Sequence, residues 1–280
     1  MQRILVLGGT GLLGEPVAAR LKHDGFEVRL LARDPDKARD LLGPGYEITA
    51  GDVADVGTLE QAITGCQGVH ISIGGAVDQI SAQNVAAVAD GMDVERISYL
   101  SGSTVAEQNR WFPMVTQKLD AESAIAASGV PYAVFCPTWP MEQLPRFVQN
   151  GTAFVVGDRL PALHWFAAAD LAQMVSRSYQ TDEAANRRFY VHGPEAWTMA
   201  EAVERFCAAL HPEIDEVAVI PVEAARAQAA ATGDLSLGFM AEMMAYFDQA
   251  GELGSPEEAN RILGRPTITL DTWIHARNGR

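Results

Sequence analysis

The chain has 280 residues, 48% of them apolar, and a formal net charge of −15. It is long enough to bury one large core or two small ones, while so acidic a balance argues against a nucleic-acid or anionic-membrane partner. The three cysteines, Cys66, Cys136 and Cys207, are far apart and lack CxxC or Cys/His spacing, so neither a disulfide framework nor a metal site is expected.

In chain order, apolar strand-like runs alternate with helical patterns. "RILVLG" precedes a helix near Pro16 to Leu21, and "EVRLLAR" precedes one around Lys37 to Leu42. "YEITAGD" leads to a helix over Val56 to Ile63, and "GVHISIGG" to one over Gln79 to Ala89. "ERISYLSG" is followed by a helix over Thr116 to Ala127, and "PYAVFCP" makes a sixth strand. Continuous apolar strands separated by helices predict a parallel sheet covered on both faces, a Rossmann-type doubly wound α/β fold. The second half is less regular. It holds strands at "RRFYVHG" and "EVAVIPV", a methionine-rich helix in "LGFMAEMMAYFDQAG", and capping boxes at Thr198–Glu201 and Ser255–Glu258. The expected division is a nucleotide-binding domain over 1–155 and a small mixed α/β subdomain over 156–280, partly interleaved with the first. The apolar run from Ile4 to Leu7 is too short for a signal-peptide core, and no run is long enough to span a membrane, which predicts a cytoplasmic chain.

"GGTGLLG", from Gly8 to Gly14, lies between the first strand and the first helix. Glycines there remove the side chains that would keep a pyrophosphate from the helix N-terminus, where free N–H groups and the dipole attract it. Gly8, Gly11 and Gly14 are therefore cofactor-binding candidates, with Leu12 and Leu13 in the same loop and Thr10 offering a hydroxyl. The second strand ends in Arg33, where an NAD site carries an acidic residue. A guanidinium suits a 2′-phosphate, which predicts NADP(H) ahead of NAD(H). The alternatives are a solvated Arg33 and an Asp34 that pairs a ribose hydroxyl. Asp52, followed by Val53, is placed to accept from the adenine amino group or to cap a turn. Ile73, Gly74 and Gly75 end the fourth strand, where small residues let a cofactor pass. Ser101 ends the fifth.

These segments, with "LLAR", "GDVAD", "SGSTV", "SGVPYAVFCPTWPMEQL", "FAAADLAQMV" and "FYVHGPEAWTMAEAV", resemble the NmrA-like, atypical short-chain dehydrogenases over nearly the whole chain. The resemblance implies an N-terminal Rossmann domain binding NAD(P), and either reduction of quinone- or azo-type compounds or a non-catalytic dinucleotide-sensing role. The chain departs from catalytic short-chain dehydrogenases in lacking Tyr-x-x-x-Lys: the residues four before Lys22, Lys37 and Lys118 are Ala18, Arg33 and Met114. The resemblance puts Lys118 near the nicotinamide ribose, as a cofactor contact or oxyanion stabiliser and the one catalytic candidate. The other reading of Lys118 is a surface helix residue beside Glu122. Trp111, Phe112, Trp139, Met141 and Trp165 are candidates to line an apolar substrate pocket, with ordinary core packing as the alternative. The expected function is NADPH-dependent reduction of a small apolar quinone, carbonyl or azo acceptor. An NADP(H) sensor acting through a protein partner is the second reading, and a homodimer is left open.

Overall fold

A computed structural model describes residues 2–159 and 161–278. The first half alternates regularly: β1 (Arg3–Leu7), α1 (Gly14–His23), β2 (Glu27–Ala32), α2 (Pro35–Leu42), β3 (Glu47–Ala50), α3 (Val56–Ile63), β4 (Gly68–Ile71), α4 (Asp78–Ala89), β5 (Arg96–Leu100), α5 (Pro113–Ala127) and β6 (Tyr132–Pro137). There follow β7 (Trp139–Pro140), β8 (Val148–Gln149), β9 (Thr152–Val156), β10 (Leu163–Phe166), α6 (Ala168–Ser178), β11 (Arg187–Val191) and β12 (Glu195–Trp197). The chain continues through α7 (Met199–Leu210), β13 (Val217–Ile220), α8 (Val222–Thr232), α9 (Leu235–Ala250), α10 (Glu257–Leu263) and α11 (Leu270–His275).

Two compact units emerge. One comprises Met1–Pro137, Ala168–Val191 and Ser255–Arg265; the other comprises Thr138–Ala167, His192–Gly254 and Pro266–Arg280. The border falls at the end of β6 rather than after residue 155, and α6, β11 and α10 return to the first unit. The reason is strand pairing: β11 lies parallel to β6 in the first unit's sheet, whereas β9 pairs with β8 and β13 in the second.

The first unit carries a seven-stranded sheet of order β11-β6-β5-β4-β1-β2-β3, with parallel pairs throughout. The chain builds outward from β1 through β2 to β3, then restarts on β1's other side at β4. The order therefore reverses between β1 and β4, and ligands of such sheets bind beyond the strand carboxyl ends at that point. Ile4, Leu5, Val6 and Leu7 are all fully buried, as expected of a strand covered on both faces. Two arginines are buried in this sheet, and each satisfies a helix end. Arg29 donates to the carbonyls of Ala62 at 2.8 Å and Thr64 at 2.7 Å, where α3 ends. Arg96 donates to Ser178 O, where α6 ends, and to Thr181 O at 3.2 Å. Cations at helix C-termini satisfy orphan carbonyls and oppose the dipole.

The second unit has two three-stranded sheets, β12-β10-β7 and β13-β9-β8, packed with α7 and α9 around Met141, Val155, Trp165, Phe206 and Leu270. The short strands β7 and β8 and the helices α8 and α11 carry periodic signals too weak to stand out in the sequence. The Thr198–Glu201 capping box forms as expected. The box expected at Ser255 does not: α10 starts at Glu257 with Pro256 as its N-cap and no side-chain cap, although Ser255 Oγ accepts from Glu257 N at 3.3 Å. All three cysteines are free and buried.

Within the first unit, Asp24 at the end of α1 fastens that helix to α6. It accepts from Arg20 Nε at 2.7 Å, Ser176 Oγ at 2.6 Å and His23 Nδ1 at 3.0 Å. Burial by itself raises the Asp24 pKa, but the hydrogen bonds from Arg20, Ser176 and His23 outweigh it and pull the carboxyl down to about 2. A depressed carboxyl stabilises the fold above its unfolded pKa and loses that contribution as pH falls through the folded value. The ionised form therefore contributes up to about 2 kcal/mol at neutral pH. Asp24→Asn is expected to be less stable than wild type above pH 5, with the gap closing between pH 4 and 2. Urea unfolding of both proteins across that range checks it; a gap independent of pH would assign Asp24 a packing role only.

Candidate active site

The glycine segment sits at the carboxyl end of β1, at the strand-order reversal. Gly8 has φ +79°, and a Cβ there would lie 2.2 Å from Ser72 O. A Cβ on Gly14 would lie 2.2 Å from Gly8 O, and one on Gly9 would strike Leu30 Cδ2 at 2.0 Å. Glycine at 8, 9 and 14 thus lets α1 begin directly against β1 and β4. Gly11 is less constrained: its nearest neighbour would be Gly8 O at 3.1 Å, and Gly11 N donates to that carbonyl at 2.9 Å. Thr10 and Gly11 are exposed, and Leu12 and Leu13 are half-buried. The N-cap of α1 is Leu13, and no side chain caps the helix. An uncapped helix start behind an exposed glycine turn is an anion cradle.

Arg33 follows β2 directly, is exposed, and has no ion-pair partner among the described residues. Asp34 instead caps a helix, its Oδ1 accepting from Lys37 N at 3.0 Å as the N-cap of α2. Asp52 Oδ1 accepts from Ala54 N at 2.9 Å, the turn role weighed against adenine binding. The neighbouring Val53 carbonyl accepts from Asn84 Nδ2 at 3.0 Å, which pins this loop to α4. β4 stops at Ile71, short of the Ile73–Gly75 end expected from the sequence. Ile73 packs on the core, and Gly74 has no atom within 4 Å of where a Cβ would stand.

At the end of β5 the candidate side chains are engaged inward. The Ser101 hydroxyl donates to Glu122 Oε1, and Glu122 Oε2 accepts from Arg188 Nε at 3.0 Å. Lys118 Nζ lies 2.6 Å from Asp78 Oδ2 and donates to Leu100 O at 2.7 Å. It stands 4.8 Å from the centre of the Tyr99 ring, whose hydroxyl donates to Asp78 Oδ1 at 3.0 Å. Lys118 is therefore neither a surface residue nor a partner of Glu122. Asp78, Tyr99 and Arg188 are not legible in the sequence, because α4, β5 and β11 bring them to this place from distant parts of the chain. Burial raises the Asp78 carboxyl pKa, and Lys118 and Tyr99 counter it. Burial first, then Asp78, push the Tyr99 phenol far above its ordinary value, so this tyrosine stays protonated, its hydroxyl committed to Asp78.

The aromatic candidates divide. In the first unit, Trp111 is 52% exposed and meets Phe112 edge to face, with ring centres 5.9 Å apart. In the second unit, Met141 and Trp165 are fully buried. Trp165 Nε1 donates to Trp197 O at 3.0 Å, so these two take the core-packing role. Trp139 is half-buried against Trp165 and Phe247, with ring centres 6.1 and 5.0 Å away.

A family model described as NAD(P)H-binding matches residues 8–181. An NAD(P)H azoreductase of Xenophilus azovorans is 25% identical over 98% of this chain and 97% of its own. A photosystem II assembly factor, Ycf39, of Trieres chinensis is 26% identical over 78% of this chain and 72% of its own. Among solved structures, the Citrobacter sp. triphenylmethane reductase complexed with NADP(H) superposes with a TM-score of 0.78 at 19% identity, covering 98% and 99% of the two chains. The Escherichia coli NADPH-dependent quinone oxidoreductase QOR2 complexed with NADPH does so with the same score at 20% identity, covering 98% and 99%. No helix among the described residues is long and apolar enough to cross a membrane. With the glycine cradle and the sheet order in place, the chain belongs to the NAD(P)H-binding family.

Proposed function

We propose that this protein is an NADPH-dependent reductase of a small, apolar, electron-poor acceptor of the quinone, carbonyl or azo type. The observation that carries its dinucleotide part, shared with the sensor reading below, is the cradle: Gly8 and Gly14 allow no Cβ, and α1 opens uncapped behind them. The residues fit a dinucleotide. The Thr10–Gly14 segment would hold the pyrophosphate, Arg33 the 2′-phosphate, and Gly74 and Gly75 would border its path. The bound cofactor supplies the hydride. The protein's share is orientation and exclusion of water, since an electron-poor acceptor needs little acid assistance. Trp111 and Phe112 offer apolar ring surface to a flat acceptor. Lys118 has three N–H groups and two are engaged, so one remains to contact the nicotinamide ribose or a developing oxyanion. The azoreductase similarity over nearly the whole chain supports this substrate class.

A second reading, an NADP(H) sensor acting through a protein partner, is favoured by one feature: Tyr99, the tyrosine beside Lys118, is fully buried and bonded to Asp78. Substrate-dependent NADPH oxidation separates the two. A panel of quinones, azo dyes and aldehydes that fails to accelerate NADPH oxidation, with NADPH still bound, would select the sensor.

Arg33 carries the cofactor prediction. Charge-assisted hydrogen bonds contribute about 1.5–3 kcal/mol each, and a bare 2′-hydroxyl offers far less. Wild type is expected to bind NADPH about 10–100-fold more tightly than NADH. Arg33→Ala removes most of that gap and leaves NADH affinity nearly unchanged. Calorimetric titration of both cofactors decides it: equal affinities in wild type, or parallel weakening in the variant, would make Arg33 a solvated strand-end residue.

Lys118 needs a variant that does not strand a buried charge, because removing one partner of such a pair costs about 3–5 kcal/mol. The double variant Lys118→Met with Asp78→Asn is expected to keep NADPH affinity within about threefold while turnover falls at least about tenfold, roughly 1.4 kcal/mol. Unchanged turnover would confine Lys118 to holding Asp78 and the end of β5.

A further inference from the structure

Outside the cofactor site, the second unit gathers three ligating side chains that the mechanism does not use. His164 lies on β10, His192 just after β11, and Glu252 just after α9. One ligand atom from each falls within 4.8 Å of the others. His164 Nδ1 is 2.6 Å from Glu252 Oε1, and His192 Nδ1 is 3.3 Å from the same oxygen. The two imidazoles stack, with ring centres 5.4 Å apart and an interplanar angle of 23°, and both turn their Nδ1 toward that carboxylate.

The surrounding bonds define which lone pairs face inward. His192 Nε2 lies 3.3 Å from Leu253 O, a carbonyl that can only accept, so Nε2 carries the proton. In the neutral ring Nδ1 then presents a lone pair to Glu252 Oε1. The His192 side chain is only 9% exposed and Glu252 15%. Two acceptors held together with so little water call for a proton or a metal ion between them. Glu252 is itself fixed from behind, because Oε2 accepts the backbone N–H of His164 at 2.8 Å. A ring nitrogen bonded to a backbone carbonyl and a carboxylate with its second oxygen tied are the usual outer partners of metal ligands.

We propose that His164, His192 and Glu252 form a binding site for a divalent cation of the zinc class. Tetrahedral coordination with bonds of about 2.0–2.1 Å puts ligand atoms roughly 3.3 Å apart. The His192–Glu252 separation already has that value. The His164 ring, 41% exposed, is the adjustable ligand. It moves its proton from Nδ1 to Nε2 and opens its distance to Glu252 by a few tenths of an ångström as the ion enters. Two imidazoles and one carboxylate leave the fourth position to water, on the side that the exposed His164 ring borders. The ion would clamp β10, the segment after β11 and the segment after α9 within the second unit. Sequence reasoning expects no metal because the ligands have no short spacing: His164 and Glu252 are 88 positions apart.

The test uses the tag-free full chain, stripped with a chelator, and the metals alone as probes. Zinc is titrated in competition with a chromophoric indicator, and cobalt is followed by its visible absorption. One equivalent is expected to bind with Kd below about 10 μM, with a tetrahedral cobalt spectrum and a rise in melting temperature. His192→Ala, Glu252→Gln and His164→Ala each weaken zinc at least about tenfold. His211→Ala, at a histidine that sits beside Glu213 outside the cluster, leaves zinc affinity unchanged. The half-exposed His164 is the position whose variant is safest for folding, checked by circular dichroism. No stoichiometric binding by 100 μM zinc in wild type, or equal affinity in folded His164→Ala, would overturn the site and leave a histidine–carboxylate ion pair.

Discussion

The first unit depends on one close approach, that of the α1 N-terminus to the β1 carboxyl end. Gly14 lies so near the Gly8 carbonyl that a single methyl group on it would overlap that oxygen. Gly8 is in turn pressed against Ser72 just past β4, and only its positive φ lets the chain turn there. This contact joins β1, β4 and α1 at the place where the strand order reverses. It brings an uncapped helix end to the strand ends, where backbone N–H groups can receive phosphate without a cation. The binding property is thus a consequence of removing side chains.

A second theme is the tying of strand ends by buried charge. Lys118 joins α5 to Asp78 at the start of α4 and to the last carbonyl of β5. Ser101, Glu122 and Arg188 make a parallel connection from β5 through α5 to β11. Buried ion pairs of this kind give little net stability, but breaking one partner away is costly. Here they tie the end of β5 to α4, α5 and β11. Lys118 is thus held at the end of β5 without the tyrosine spacing of the catalytic short-chain enzymes. Tyr99 comes from the sheet rather than from the preceding helical turn, and its hydroxyl is spent on Asp78.

Much of the first unit was legible in the chain. Strands buried on both faces must be apolar along their length, and the helices between them must be amphipathic, so "RILVL" and "GVHI" announce a parallel sheet. The glycine motif declared its place between strand and helix. At single residues the structure shows local hydrogen bonds. Asp34 Oδ1 caps α2 and Asp52 Oδ1 braces a turn, because short carboxylates compete for nearby backbone N–H groups. The second unit was less legible. Its strands are as short as two residues at β7 and β8, too short for period-two alternation to register. Met141 and Trp165 looked like pocket residues and are core, because apolar character alone does not distinguish a lining from a filling.

The sequence by itself determined the fold class, the glycine turn between β1 and α1 and the cofactor family, since each rests on residues adjacent in the chain. Glycine spacing, strand apolarity and the strand-end Arg33 are local properties, governed by backbone sterics and short-range electrostatics. Only the tertiary structure decided which charges meet. It turned Lys118 to Asp78 rather than Glu122, returned α6 and β11 to the first unit, and brought His164, His192 and Glu252 together. Those contacts join positions 28 to 88 residues apart, where no local spacing rule operates. Which partner a buried charge finds is set by the packing that encloses it, because burial makes an unpaired charge costly.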